Sequence, residues 1–192
     1  MKFQFDANQQ FQINAVAAVA DLFEGQPQGA PEYTVIQLAG MGGGLFTGQE
    51  QTELGLGNRL LLAEDKLLVN TRAIQYRNEV EVSDPAAPLE GWEVFDGPAN
   101  VSRQCPHFSV EMETGTGKTY VYLRTIFELS CRYGFQKFIV VVPSVAIREG
   151  VLKNIEITGD HFRALYNNLA FEHFVYGPKT VNQLRQFASS ST

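Results

Sequence analysis

An α/β fold, with a parallel sheet flanked by helices, is predicted by three features of the second half of the chain. From residue 108 onward the pattern runs strand, glycine loop, helix, strand, helix. The run 138–142 (FIVVV) is unbroken apolar sequence stopped by Pro143, as expected of a central strand buried on both faces. Between the first strand and the first helix of that unit lies TGTGKT, residues 114–119, a glycine loop that opens directly into helical sequence.

The elements follow in order. Residues 8–23 predict a helix, because Ile13, Val16, Ala20 and Phe23 recur at helical spacing and Asp6 or Asn8 stands ready to cap it. Gly25, Pro27, Gly29 and Pro31 break it, and 33–38 (YTVIQL) predicts a strand. The glycine-rich stretch 39–57 has no period and predicts a mobile loop. Residues 64–76 predict a second helix with Leu67, Leu68, Ala73 and Ile74 facing inward. Residues 83–97, around the single Trp92, predict an irregular insertion with short strands. Phe108, Val110 and Met112 alternate as a strand would. A helix over 118–133 follows, with Leu123, Ile126 and Phe127 inward and Gly134 placed to end it. Further helices are predicted over 144–155 and 179–187, and 164–175 is ambiguous.

At 192 residues the chain can bury one proper core, with or without a small appendage. With 44% hydrophobic and 19% charged residues, global disorder is excluded. No apolar run approaches the ~20 residues of a membrane helix, and no secretory signal opens the sequence. Cys105 and Cys131 have no metal-ligand spacing and read as reduced thiols of a cytoplasmic protein, and His107, His161 and His173 show no paired ligand spacing either. The net charge of −6 gives no whole-chain footprint for nucleic acid, so any such role rests on particular motifs.

The loop 114–119 carries the clearest chemistry. Gly115 and Gly117 permit backbone geometries in which successive N–H groups turn inward around a phosphate, and the following helix adds its positive end. Lys118 reaches β- and γ-phosphates, and the Thr119 hydroxyl is the candidate magnesium ligand. Thr114, Gly115, Thr116, Gly117, Lys118, Thr119 and Tyr120 are therefore the candidate nucleotide contacts, with Lys118 and Thr119 catalytic. The strict form of this motif has glycine where Met112 stands.

From residue 108 the sequence resembles the helicase-like motors of bacterial restriction enzymes, within the second large helicase superfamily. METGTGKTYVYLRTIFEL followed by KFIVVVPSVAIREGVLKN resembles more closely the restriction subunit of type III restriction–modification systems. Many motors of that superfamily also lack the leading glycine. The resemblance covers 108–187 well and extends loosely to 6–26, where Phe11-Gln12 matches the glutamine that reads adenine. It implies a RecA-like P-loop NTPase fold using ATP and Mg2+. It also implies that Gln12 pairs with the adenine edge, unless it is a solvated residue at a helix start. Phe5 or Phe11 is a candidate for stacking on the base, with core packing the better expectation for either. Pro143, Ser144 and Arg148 fall where such motors touch the DNA backbone. The plainer reading of these three is a capped helix with a surface Arg148–Glu149 pair.

The resemblance divides the chain into 1–38, carrying the candidate adenine-reading glutamine, 39–104, a glycine-rich loop, helix and irregular insertion, and 105–192, the P-loop core. No Asp-Glu pair follows the loop, although such motors use one to hold magnesium and orient water. The chain thus reads as a truncated N-terminal piece of an ATP-dependent DNA translocase or helicase coupled to endonucleolytic cleavage, inactive alone. Its implied partners are double-stranded DNA and a methyltransferase (modification) subunit, with no membrane. The alternatives are a type I restriction motor or another helicase of the same superfamily, then a P-loop transferase, then an interaction module that binds no nucleotide.

Overall fold

The computed structural model describes residues 5–28, 33–37, 52–56, 58, 60–96, 101–177 and 180–189. Helix α1 (Gln10–Ala20) continues into a single 3₁₀ turn, Asp21–Phe23, so the predicted helix is recovered in two pieces. Its cap differs from expectation. Gln9 occupies the N-cap without a side-chain bond, while Asp6 Oδ1 accepts the Asn8 N–H at 2.9 Å in a turn just ahead of the helix.

Strand β1 (Tyr33–Gln37) pairs antiparallel with β2 (Thr52–Leu56), Tyr33 opposite Leu56 and Gln37 opposite Thr52. The expected mobile loop 39–57 therefore contains a strand, and its other residues lie outside those described. Helix α2 (Glu64–Arg77) forms as predicted and buries Leu67, with Leu68 and Ile74 packed beside it. Ala73 is exposed, and the inward face is completed by Asn70 and Thr71. Asn70 Nδ2 donates to the carbonyls of Leu22 and Glu24, both at 2.9 Å, which explains why a polar residue is buried there. Strand β3 (Gly91–Asp96) lies in the expected insertion 83–97, and it pairs antiparallel with β4 (Val101–Pro106), which lies beyond it, so a regular hairpin stands where short strands in an irregular segment were expected.

Helix α3 (Lys118–Tyr133) is bounded by two glycines at positive φ, Gly117 at 84° and Gly134 at 70°. It is the axis of the fold. On one side α1 lies along it, through Ala15 and Val16 against Val121 and through Ala20 against Leu129 and Tyr133. On another side α4 (Val145–Leu165) meets it in an aromatic cluster of Tyr120, Leu123, Phe127 and Phe162, with Phe5, Tyr166 and Phe171 packed around them. Phe127 stacks on Phe162 at 5.0 Å and on Tyr166 at 5.2 Å. Helix α4 runs about ten residues beyond its predicted end, because Phe162 and Tyr166 continue its apolar stripe past 155. Helix α5 (Val181–Ser189) closes the order, and 169–177 between them is irregular.

The expected parallel sheet is not seen among the described residues. Among the described residues the only ladders are the two antiparallel pairs, both ahead of the glycine loop. The runs 108–112 and 138–142 carry no regular secondary structure and join no ladder. Ile139 and Val141 are 81% and 88% exposed, the reverse of a strand buried on both faces. The physical reason is that a strand, unlike a helix, cannot satisfy its own backbone groups and acquires its burial only with neighbours on each side.

Candidate functional site

Residues 114–116 turn between the run 108–113 and α3, with Gly115 at φ 85° and Gly117 at φ 84°. A side chain at either position would be strained by that backbone. At Gly117 there is also no room, since an added Cβ would lie 2.7 Å from Gln12 Nε2. The loop folds in on one carbonyl. Glu113 O accepts from Thr116 Oγ1 and from Lys118 Nζ, each at 2.7 Å, so the lysine ammonium lies back across the turn. The first α3 backbone groups have no partner within the helix by geometry, and the Gly117 carbonyl first takes up the Val121 N–H, at 3.0 Å. Free N–H groups, the positive end of the helix dipole and a first turn without acidic residues therefore coincide at this end of α3.

Gln12 reaches the same loop from α1. It is 8% exposed, and its Nε2 donates to the Thr116 carbonyl at 2.9 Å. A solvated glutamine at a helix start is therefore excluded, and α1 is pinned to the glycine turn. Phe5 packs on Tyr120 (centroids 6.1 Å apart, planes 11°) and belongs to the core, whereas Phe11 is 49% exposed, against the expectation of core packing.

The other loop residues divide cleanly. Thr114, Gly115 and Lys118 are exposed, and Thr116 and Thr119 are half-buried. Tyr120 turns its ring away from the loop into the α3–α4 cluster, where its hydroxyl meets His161 Nε2 at 2.9 Å. Burial raises the Tyr120 pKa. Burial first, and then the Arg124 guanidinium, push the His161 pKa down, so the imidazole is favoured neutral there.

Pro143, Ser144 and Arg148 sit at the start of α4. Ser144 Oγ accepts the Ile147 N–H at 3.3 Å as a helix cap, and Arg148 pairs with Glu149 at 2.8 Å on the surface. The plainer reading of that segment is thus its resting geometry. The α3–α4 packing centres on Phe162, about 27 Å along α4 from Ser144 at helical rise.

Sequence reading missed a chain of polar contacts along α3. Arg124 donates to Ala7 O at 2.6 Å and, more weakly, to the Tyr166 hydroxyl, which itself donates to Glu128. Glu128 pairs with Arg132, and Asp21 accepts from both Arg132 and Arg77. The four-residue spacing of Arg124, Glu128 and Arg132 was the available signal, since it sets all three on one helical face. Asn58 carried no such signal. Its side-chain amide accepts from the backbone of Gln136 and Lys137 and donates to the Lys137 carbonyl, as a neighbouring peptide would.

Among the described residues no group of three or more His, Cys, Asp or Glu could hold a metal ion. Cys105 and Cys131 are both free and exposed. No helix among the described residues is long and apolar enough to cross a membrane.

The chain matches the family described as "Type III restriction enzyme, res subunit" over residues 66–185, more than half its length. Three relatives agree. The Res subunit of the type III restriction-modification enzyme StyLTI from Salmonella typhimurium is 44% identical over 82 residues, 42% of this chain and 8% of that subunit. That of EcoP15I from Escherichia coli is 46% identical over 59 residues, 30% of this chain and 6% of the subunit. That of EcoPI from Escherichia phage P1 is 34% identical over 109 residues, 56% of this chain and 10% of the subunit. The matched stretches thus span no more than a tenth of these relatives, and within them the chain belongs to the type III restriction enzyme res subunit family, which is a P-loop helicase family.

Proposed function

We propose that the chain is the ATP-binding first lobe of an ATP-dependent DNA translocase or helicase that drives endonucleolytic cleavage in type III restriction. One observation carries the reading. The Lys118 ammonium is drawn to the Glu113 carbonyl, 2.7 Å away, across a turn shaped by two positive-φ glycines at the open end of α3. A lysine at a glycine turn that opens on the free N–H groups of a helix start supplies the groups by which a phosphate is bound.

In this reading the N–H groups of 114–120 cradle the phosphates, Tyr120 contributing only its backbone. Lys118 exchanges the Glu113 carbonyl for phosphate oxygens and neutralises their charge. Thr119 offers its hydroxyl to magnesium. Bound ATP with magnesium supplies the β–γ anhydride that is hydrolysed. Gln12 keeps an unused Nε2 proton and its Oε1 for the adenine edge while still touching Thr116. Pro143, Ser144 and Arg148 face the DNA backbone, with Arg148 exchanging Glu149 for a phosphate. The modification subunit would supply the recognition of the DNA site. The runs 108–112 and 138–142 serve as strands of a parallel sheet once neighbours join them.

Calorimetric titration of magnesium-ATP into the chain, beside Lys118→Ala, tests the centre of this reading. Wild-type binding that disappears in a folded variant is the expected result, and equal affinity in both would remove Lys118 from the site. Repeating the titration with magnesium-GTP decides the role of Gln12, because a reader of adenine must favour ATP and Gln12→Ala must erase the preference. Phosphate release by the isolated chain should stay near background, since no Asp-Glu pair follows the loop.

A further inference from the structure

Tyr122 poses a question that packing does not answer. It is one turn beyond Thr119 on α3 and leans on the aromatic cluster, where a phenylalanine ring would pack as well. Yet its hydroxyl is buried and makes no hydrogen bond among the described residues. Buried hydroxyls left without partners destabilise a fold, so one that is present calls for a reason other than stability.

The direction of the side chain supplies that reason. Long side chains in a helix lie back over the preceding turn, which brings the Tyr122 hydroxyl over the turn that carries Thr119. Burial raises the Tyr122 pKa and a hydrogen-bonding approach of the Thr119 side chain partly offsets this, so the two hydroxyls are neighbours, although in the free chain they miss the alignment of an ordinary hydrogen bond. Thr119 Oγ1 has one proton and two lone pairs. A cation ligand at that position works best when the proton is held elsewhere and the lone pairs face outward.

We propose that Tyr122 is a positioning residue for the loop: its hydroxyl oxygen accepts the Thr119 proton and turns the Thr119 lone pairs toward a divalent cation carried with a nucleotide. This rests on the reading of 114–119 as a nucleotide loop. Tyr122 touches neither cation nor phosphate. It acts through Thr119, and the unpartnered hydroxyl of the free chain is the standing cost of that arrangement.

The test uses four forms of the chain: wild type, Tyr122→Phe, Thr119→Val and the double variant. Each is melted without ligand and titrated with ATP, once with magnesium and once with a chelator. Tyr122→Phe should melt at a higher temperature than wild type, because it deletes an unsatisfied group and keeps the ring. It should also lose about threefold to tenfold of the affinity that magnesium adds, the range an ordinary hydrogen bond carries, while leaving metal-free affinity unchanged. On the Thr119→Val background the same substitution should have no further effect on the magnesium gain. A lower melting temperature for Tyr122→Phe would give the hydroxyl a structural partner and overturn the proposal. An undiminished magnesium gain, or an equal loss on the Thr119→Val background, would do the same. A wild-type chain that binds ATP in neither condition removes the loop reading itself, and the role of Tyr122 with it. A wild-type chain that binds without any gain from magnesium removes Tyr122 alone.

Discussion

Helix α3 and the run 138–142 are both rich in apolar residues, and they meet opposite fates. Tyr120, Val121, Leu123, Phe127 and Leu129 of α3 are all under 10% exposed, while Ile139 and Val141 of the run stand above 80%. The helix closes its own backbone hydrogen bonds and needs neighbours only for its side chains, which α1 and α4 provide. The run needs a neighbour for its backbone before its side chains can be covered at all. The contrast teaches where this chain is self-sufficient: at the glycine loop and the helix behind it, and not at the apolar run 138–142.

Breaking the self-sufficient side should have the largest effect. Phe162→Ala empties the centre of the α3–α4 cluster at a residue 1% exposed, and about 3–5 kcal/mol of stability should be lost in chemical denaturation. A loss under about 1 kcal/mol would mean that α4 does not dock on α3 in solution. Gly117→Ala should come next, at about 1–3 kcal/mol, because the residue must hold φ 84° and its Cβ would press on Gln12. The comparison sharpens if Gln12→Ala relieves part of that loss and the backbone strain keeps the rest. The smallest effect should come from the other side. Val141→Lys should shift stability by no more than about 0.5 kcal/mol, since the side chain is 88% exposed. Backbone amides of 139–142 should exchange rapidly with solvent in this chain. Slow exchange there, or a large loss from the lysine, would show that the run is paired after all.

Helices were legible in the sequence because their signals are local. Helix α3 begins and ends where its two glycines place it, and α2 follows the 64–76 reading to within one residue. The glycine loop was legible for the same reason, being a single stretch of six residues. Long-range matters were not. That Gln12 is bonded to Thr116 across more than a hundred residues, or that Asn58 imitates a peptide beside Gln136, has no trace in local pattern. The run 138–142 was recognised as strand-like, but no property of those five residues can state whether a partner is at hand.

Net charge also misled as a whole-chain number. Glu79, Glu81, Asp84, Glu90, Glu93 and Asp96 all lie between Arg77 and Arg103, a stretch without Lys or Arg. Those six account for the entire net charge of −6, leaving acids and bases in balance elsewhere. The weak argument against DNA drawn from composition therefore concerns the insertion, and does not bear on 114–148.

The packing of α1 on α3 sets a schedule for synthesis. Helix α1 ends at Ala20 and its partner begins at Lys118, about a hundred residues later in the chain. At bacterial or eukaryotic rates of roughly 5–20 residues per second, α1 emerges from the ribosome about 5 to 20 seconds before there is anything for it to pack against. Its waiting face is modest, Ala15, Val16 and Ala20. A leucine-rich face in the same place would spend those seconds seeking other partners, and the small residues let α1 wait its turn.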